Sequence, residues 1–279
     1  MGRRDPRVGA LVAVVLVVAI AIAGFRIVHH LLQPVVPAVV LRDANAHRLL
    51  SPGVGARIDR FLHDRPPPES ERVRYPKLVA LSFDDGPYPV ETPLLLDVLS
   101  DLHVPATFFL IGHDALEYPQ LADRIERAGD EVANHTQTHP ADFEALSPAQ
   151  VTTELREGAA TLDSLTHDPA IRTMMRPPHG RFTERTVKAA QAAGYAVILW
   201  NDDPGDWREV GPQAIVDHMV KNASAPEIVL LHSGRLATIE ALPEIVSRFR
   251  AAGFSFVTVG KLLAAVPVRE VLHPAKLRV

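Results

Sequence analysis

The sequence contains no cysteine, so disulfide bonds and metal sites built on thiolates are excluded. It also lacks an excess of positive charge, because its formal net charge is -4 at pH 7, and this argues against nucleic acid as the main partner. No strand-like run is followed by a GxGxxG or GxxxxGK pattern, so nucleotide binding is not supported. What remains is a chain of 279 residues, 47% hydrophobic, which is enough to bury one sizeable core.

The N-terminus carries the longest uncharged run of the chain, residues 8–25, preceded by the three arginines of MGRRDPR. As a helix the run spans about 27 Å, close to the roughly 30 Å hydrocarbon core of a bilayer. The arginines favour a cytoplasmic N-terminus with everything after Arg26 exported. We therefore predict a membrane anchor at residues 1–26. The alternative is a cleaved signal peptide and a secreted protein, because AIAG at residues 21–24 offers a cleavage pattern, although the run exceeds the usual signal length.

A proline-rich stretch follows the predicted anchor, with prolines at positions 34, 37, 52 and 66 to 68. This composition is typical of a spacer that separates a domain from the membrane. The predicted organisation is an extracytoplasmic spacer at residues 27–74, one compact domain at residues 75–265 and a C-terminal tail at residues 266–279.

Apolar runs alternate with amphipathic segments throughout the compact domain. The runs are LVALSF (78–83), ATFFLIG (106–112), EVANH (131–135), IRTMMR (171–176), YAVILW (195–200), EIVLLH (227–232) and FSFVTV (254–259). Most are continuous rather than alternating, as in strands that are buried on both faces. Several segments between them begin with Ser, Thr or Pro and end at Gly, as capped helices do. The pattern predicts an α/β domain of about seven parallel strands, a barrel rather than an open sheet.

Polar residues collect at the ends of the predicted strands, where parallel α/β folds gather their functional groups. In chain order they are Asp84 with Asp85, HTQTHP (135–140), RPPHG (176–180), NDDPGDW (201–207) and His232. This set contains metal ligands, spare carboxylates and a spare imidazole, and it suggests hydrolytic chemistry.

His135 and His139 lie four residues apart, so one helical turn or a tight loop brings both imidazoles to one side. Alone the HxxxH spacing is weak, because satisfied or solvent-facing histidines also produce it. A carboxylate at another strand end strengthens it. Two histidines and one Asp form the open three-ligand arrangement of a catalytic Zn²⁺ site.

The adjacent Asp84 and Asp85 point in different directions at a strand end, so both cannot comfortably bind one ion. We predict that one completes the metal site and the other removes a proton from the attacking water, while the cation relieves their mutual repulsion. The structural alternative is an aspartate pair that opens a turn before Gly86 and Pro87.

His232 follows a buried run and alone would read as a core histidine bonded to a backbone carbonyl. Among these neighbours it is a candidate general acid, oriented by Asp203 or Asp206. Arg176 is a candidate to pair with the aspartate that acts as the base. The rigid prolines and the glycine of RPPHG suit the presentation of a backbone N–H to an oxyanion.

Five motifs together resemble those of the polysaccharide deacetylase family, also called the NodB homology domain or carbohydrate esterase family 4. They are SFDDGP, HTQTH, RPPHG, DPGDW and LLH, in the family's order and approximate spacing over residues 75–265. The resemblance implies an irregular (β/α) barrel, a divalent metal usually given as zinc, and hydrolytic removal of acetyl groups from N-acetylated or, in some members, O-acetylated sugars.

The resemblance also implies a role for each matching residue. It makes Asp84 the catalytic base and gives the metal to Asp85, His135 and His139. It makes His232 the general acid, with Asp206 orienting this acid and Arg176 positioning the base.

For the substrate, the resemblance implies that the backbone N–H of residue 179 binds the oxyanion and that Trp207 and Leu230 form the apolar walls around the acetyl methyl. Two positions depart from the family pattern. Ser82 stands where Thr is frequent, and His179 stands where an aromatic such as Tyr is common. The backbone role survives, but contacts of the His179 side chain with substrate are put in doubt.

The expected function is that of a membrane-anchored, metal-dependent hydrolase of linear amides that deacetylates N-acetylated polysaccharide outside the cytoplasm. Peptidoglycan is the first expectation for the substrate, ahead of chitin-like oligomers, an exopolysaccharide or an O-acetylated xylan. Two other classes stay open: a catalytically silent carbohydrate-binding barrel, and a hydrolase of small cyclic amides, which would have little use for an anchor. The expected partners are the glycan and the membrane, without nucleic acid or nucleotide.

Overall fold

The computed structural model describes residues 77–266, in which parallel strands alternate with helices as the apolar runs predict. The strands are β1 (Leu78–Asp84), β2 (Ala106–Leu110), β3 (Glu131–Asn134), β4 (Met174–Met175), β5 (Ala196–Val197), β6 (Glu227–His232) and β7 (Ser255–Phe256). The α-helices are α1 (Glu91–Leu102), α2 (Gly112–Glu117), α3 (Pro119–Arg127), α4 (Pro148–Asp163), α5 (Glu184–Ala192), α6 (Pro212–Asn222), α7 (Leu236–Ala251) and α8 (Val259–Ala265).

The sheet is parallel throughout, with the strand order β5-β4-β3-β2-β1-β6, and β7 pairs with the start of β1. Strand β1 lies between β2 and β6, and all of its residues are buried, which explains its continuous apolar sequence. The two ends of this order approach each other through one bridge, between Asp202 and Val229. A parallel sheet bridged in this way agrees with the predicted (β/α) barrel.

Some predicted strands are shorter in the structure than their apolar runs. The run at 171–176 contributes only two strand residues, because the chain before β4 forms a 3-10 turn, Pro169–Arg172, which Asp168 caps by accepting the N–H of Ala170. The run at 254–259 is cut short because the Thr258 side chain caps α8. Local capping therefore overrides apolar continuity at both places.

Two apolar clusters pack against the sheet in the described part of the chain. The larger packs β1, β2 and β6 against α1, α6 and α7, with Phe83, Phe108 and Phe249 among its fully buried side chains. The smaller packs β4 and β5 against α4 and α5 around Phe143 and Leu155. The polar motifs lie at or directly after the carboxyl ends of β1, β3, β4 and β6.

In the described part of the chain, no helix is both long and apolar enough to cross a bilayer. The predicted anchor at residues 1–26, the spacer at residues 27–74 and the tail beyond Val266 lie outside the described residues. These three assignments therefore stay predictions.

Candidate active site

Asp84 and Asp85 end the central strand β1. Asp84 pairs in register with His232, the last residue of β6. Asp85 takes a left-handed conformation with a φ of 68°, and Gly86 follows with a φ of 70°. The chain therefore turns sharply at the second aspartate. Both carboxylates approach Nε2 of His135, but only Asp84 bonds to Arg176 and only Asp85 lies against His139.

Asp85 lies against the two histidines of HTQTH. Its Oδ1 is 3.6 Å from Nε2 of His135 and 3.5 Å from Nε2 of His139. The two histidines are presented by a loop rather than a helix: His139 has a φ of 51°, and its N–H donates to the Thr136 hydroxyl at 3.0 Å. Asp85, His135 and His139 each offer one ligand atom, and these atoms lie within 4.8 Å of one another. Their spacing is that of a set able to hold one metal ion.

The ionised form of Asp85 and the neutral form of His139 fit a cation at this cluster, whereas the pKa of His135 is raised, because the opposing effect of burial is outweighed by the charges of Asp84 and Asp85. Burial opposes ionisation of Asp85, but the hydrogen bond and charge of His135 outweigh it and hold the pKa of Asp85 below its ordinary value. Burial and the neighbouring His135 lower the pKa of His139 to about 4. Nδ1 of His135 lies 2.9 Å from the carbonyl oxygen of Arg176, which fixes the proton on Nδ1 and leaves Nε2 as a donor atom. Ionised carboxylate and neutral imidazoles are the forms that bind divalent cations.

Asp84 is held by Arg176, which is fully buried. Nη1 of Arg176 donates to Oδ1 of Asp84 at 2.6 Å, and Nη2 donates to the Ser82 hydroxyl at 2.9 Å. The guanidinium also lies 4.1 Å from the ring centre of Phe109. The second oxygen of Asp84 is 3.7 Å from Nε2 of His135, so Asp84 has one oxygen held by arginine and one toward the histidine cluster.

His232 forms a pair with Asp206, whose side chain is buried. Nδ1 of His232 lies 2.8 Å from Oδ1 of Asp206, while Oδ2 accepts the His232 backbone N–H and the Thr238 hydroxyl, both at 2.8 Å. Burial lowers the pKa of His232, but the hydrogen bond and charge of Asp206 outweigh it, so the net pKa is raised. Asp203 was the other carboxylate that the sequence offered as a partner for His232. It instead accepts the Gly205 N–H at 2.8 Å.

The RPPHG segment forms the 3-10 turn Pro178–Gly180, in which His179 has a left-handed φ of 55°. The next two N–H groups, of Gly180 and Arg181, donate to prolyl carbonyls within the turn. The N–H of His179 has no hydrogen-bond acceptor among the described residues. This strained residue therefore presents one backbone donor that the fold does not use.

The His179 side chain is exposed and packs edge-on against His139, with 4.6 Å between the ring centres. Gly180 must remain small, because a Cβ there would meet the Trp200 ring at 2.6 Å. Contact with the Trp200 ring therefore fixes the path of the turn.

The two predicted apolar walls lie in different settings. Leu230 is buried on β6 and pairs in register with Ser82. Trp207 follows Asp206 in the 3-10 turn Asp206–Arg208 and is 44% exposed. One wall is thus part of the sheet, and the other stands on a surface turn.

Sequence reasoning missed some supporting hydroxyl groups of the site. Thr238 bonds to Asp206 from the first turn of α7, and the Ser233 hydroxyl donates to the backbone carbonyls of Asp84 and Asp85 at 3.1 and 3.2 Å. Ser82 appeared only as a departure from a family pattern, yet it is a direct partner of Arg176. Serine directly after His232 was the only available signal, and it is a weak one.

Comparisons with known proteins point to one family. Residues 72–198 match the sequence profile of the family described as Polysaccharide deacetylase. The chain is similar to a peptidoglycan-N-acetylglucosamine deacetylase of Bacillus cereus, 37% identical over 192 residues that cover 67% of this chain and 88% of the relative. It is also similar to a chitooligosaccharide deacetylase of Sinorhizobium fredii, 37% identical over 189 residues that cover 63% and 87%.

A similar solved structure is that of the T48 deacetylase with substrate. It superposes with a TM-score of 0.63 at 32% sequence identity, and the match covers 68% of this chain and 92% of that one. Sequence and structure therefore lead to the same group of enzymes.

Proposed function

The chain belongs to the polysaccharide deacetylase family, and from that premise we propose that it removes acetyl groups from an N-acetylated cell-surface glycan with the help of a divalent metal. One observation carries the proposal. Three metal-ligand atoms, of Asp85, His135 and His139, lie beside two separately held proton-transfer groups, Asp84 and His232. This is the set of groups that hydrolysis of an amide requires.

Asp85, His135 and His139 would hold the metal. Two imidazoles and one carboxylate form the donor set of catalytic zinc sites that keep a position open, so we propose zinc. When bound, the cation supplies positive charge that polarises the acetyl carbonyl and makes water a stronger nucleophile.

Asp84 is the proposed general base. Arg176 occupies its Oδ1, so its Oδ2 is the oxygen available to accept a proton from the attacking water. The hydrogen bond from the buried guanidinium fixes the direction of the carboxylate. As the water oxygen bonds to the acetyl carbon, negative charge develops on the carbonyl oxygen. The unused backbone N–H of His179 donates a hydrogen bond to this oxygen.

His232 is the proposed general acid. Asp206 holds its Nδ1, so Nε2 gives the proton to the sugar nitrogen as the carbon–nitrogen bond breaks. The raised pKa of His232 extends the availability of this proton to higher pH. The products are acetate and the free amine of the sugar. Leu230 and Trp207 are the proposed walls around the acetyl methyl.

We propose peptidoglycan as the glycan, ahead of chitin-like oligomers. The names of the similar proteins support both, since they include peptidoglycan and chitooligosaccharide deacetylases. The predicted N-terminal anchor favours a polymer at the cell surface. We propose accordingly a single-pass membrane protein with its catalytic domain outside the cytoplasm, or a secreted enzyme if the segment at residues 1–26 is cleaved.

Acetate release by the full-length chain from a panel of glycans tests the proposal. The panel contains peptidoglycan, N-acetylglucosamine oligomers, O-acetylated xylan and a small cyclic amide, each with and without chelator and added zinc, beside Asp84→Asn. We expect chelator-sensitive release from N-acetylated glycans, restored by zinc and abolished in the variant. Acetate release that is unchanged by the chelator would reject the metal dependence. Release from xylan alone, or from the cyclic amide alone, would reject N-acetylated glycans as the substrate class. No release from any of them would favour the silent binding barrel.

A further inference from the structure

Trp207 and Arg208 form a stacked pair in the turn that carries Asp206. The guanidinium carbon of Arg208 lies 4.4 Å from the centre of the Trp207 ring. The Arg208 side chain also lies over Gly205, where a Cβ would be 3.5 Å from its Cδ. The turn lies between two residues in the left-handed backbone conformation, Gly205 with a φ of 72° and Glu209 with a φ of 57°. Although the pair is exposed, the turn and the stacking fix its position.

Arg208 has no acidic partner among the residues that the structure describes. No carboxylate of residues 77–266, the adjacent Glu209 included, lies within 4 Å of its nitrogens. The other acids of this segment accept hydrogen bonds elsewhere: Asp202 from His218, Asp203 from a backbone N–H, and Asp206 from His232 and Thr238. A guanidinium stacked on indole keeps its N–H edge available for a planar acceptor, and carboxylate is the acceptor that matches it with two hydrogen bonds.

Trp207 is a proposed wall of the acetyl site, whereas Arg208 lies close to the reacting groups without being one of them. Asp206 bonds directly to His232, and Arg208 is two residues further along the same 3-10 turn, about 4 Å along its axis at 2 Å per residue. The backbone of Arg208 therefore lies next to that of Asp206, the partner of the proton donor. A group bound there belongs to a neighbouring part of the same glycan, rather than to the acetamide that is cleaved.

Resting on the proposed deacetylase function, we propose that Trp207 and Arg208 select glycans that carry a carboxylate beside the acetamido sugar to be deacetylated. Trp207 offers its uncovered ring face to the sugar, and Arg208 binds the carboxylate. Acidic glycans of the muramoyl type are then better substrates than neutral N-acetylglucosamine oligomers. The carboxylate has two possible sources, the lactyl ether on the sugar and the peptide attached to it.

The test compares substrates that differ in this charge alone. A glucosaminyl-muramoyl tetrasaccharide with free lactyl carboxylates is compared with its methyl ester, with the same glycan bearing a peptide, and with the neutral N-acetylglucosamine tetramer. The full-length chain with zinc is expected to show about a tenfold higher kcat/KM for the acid than for the ester, because a charge-assisted contact is worth about one factor of ten. In Arg208→Gln this ratio falls toward one, and Arg208→Lys restores part of it. Arg248→Gln, an exposed arginine on α7, is the matched control and keeps the ratio.

A second readout separates this proposal from the proposed function. Calorimetry measures binding of the acid and of its ester to Asp84→Asn protein with zinc, with and without Arg208→Gln, independently of turnover. Equal affinities and equal rates for the acid and the ester in the unmodified chain, or a ratio unchanged by Arg208→Gln, would overturn the selection by charge. No acetate from any glycan, with a charge-dependent affinity intact, would overturn the deacetylase function and leave the carboxylate site standing. Preference for the peptide-bearing glycan over the free lactyl acid would assign the carboxylate to the peptide.

Discussion

The two halves of the candidate site are built differently. On the metal side, Asp85 and His139 are only partly buried, both have positive φ, and their ligand atoms have mainly each other as neighbours. On the proton-transfer side, Asp84 and Asp206 are buried and each receives directed hydrogen bonds from partners that the fold fixes.

This difference shows which positions the protein can hold by itself. Proton transfer needs atoms placed within a few tenths of an ångström, so its groups are locked by Arg176 and by Asp206 with Thr238. Metal ligands need only lie within reach, because the cation itself completes their arrangement. Substitutions on the two sides should therefore fail in different ways.

The largest effect is expected for Asp84→Asn. The amide keeps the oxygen that faces Arg176 but cannot accept the proton of water, so kcat should fall by about 10³. Zinc affinity, measured by competition with a chromophoric chelator, should change by no more than about threefold. The control is the melting temperature, because an uncompensated buried Arg176 would lower it.

Asp85→Asn should give the complementary result. Loss of the carboxylate charge should weaken zinc binding by about 10² or more, measured by the same competition, and excess zinc should recover part of the activity. Equal zinc losses in Asp84→Asn and Asp85→Asn would show that the two aspartates do not divide the work.

Asp206→Asn should reduce kcat by about 10² and shift its pH dependence. Asp206 raises the pKa of His232, and a general acid acts only while protonated, so activity is lost as pH rises through that pKa. Without the charge of Asp206, the decline should begin at lower pH in the profile of kcat against pH.

Thr238→Val is the matched, milder change. It keeps the shape of the side chain and removes one of the hydrogen bonds to Asp206. The carboxylate charge is then shared with fewer donors, so we expect a smaller shift of the decline in the opposite direction, toward higher pH. A basic limb that stayed in place in both variants would remove His232 from the role of acid.

The smallest effect is expected for Asp130, a buried carboxylate that, unlike Asp85, lies away from the site. Asp130 accepts the Ala106 N–H at 2.8 Å, and burial raises its pKa to about 6. The native state therefore binds the proton more tightly than the unfolded chain, and stability declines as pH rises from about 4 to about 6. Asp130→Asn should raise the free energy of unfolding above pH 6 by about 1 to 2 kcal/mol, with little gain at pH 4, in urea denaturation at the two pH values.

How much could be predicted from the sequence depends on the range of each interaction. The strand ends and the spacing of His135 and His139 are local, so apolar runs and motif order were sufficient to predict the parallel sheet and the grouping of its polar ends. The choice between Asp203 and Asp206 depended on a hydrogen bond to His232 across 26 residues. Spacing along the chain carries no information about such a contact.

The same reason applies to the elements that were predicted poorly. Apolar content cannot distinguish a strand from the 3-10 turn Pro169–Arg172, because the capping hydrogen bond of Asp168 decides between them. Thr238 could not be recognised, since its hydroxyl matters only after α7 has packed beside the turn of Asp206.

The single bridge between Asp202 and Val229 closes the barrel and forms its seam, the junction between β6 and the chain after β5. Strand β6 pairs with β1 over six residue pairs, but on its other side it is joined to the chain after β5 by this bridge, its neighbouring backbone hydrogen bonds and the side-chain hydrogen bonds of Asn201 and Asp206. The amide of Leu230, which bonds to the Asp202 carbonyl, should exchange with solvent deuterium sooner than amides on the β1 face of the same strand. Opening of the seam would separate Asp206 from His232 while leaving the ligands on β1 and β3 in place, so the molecule would lose its proton donor before its cation.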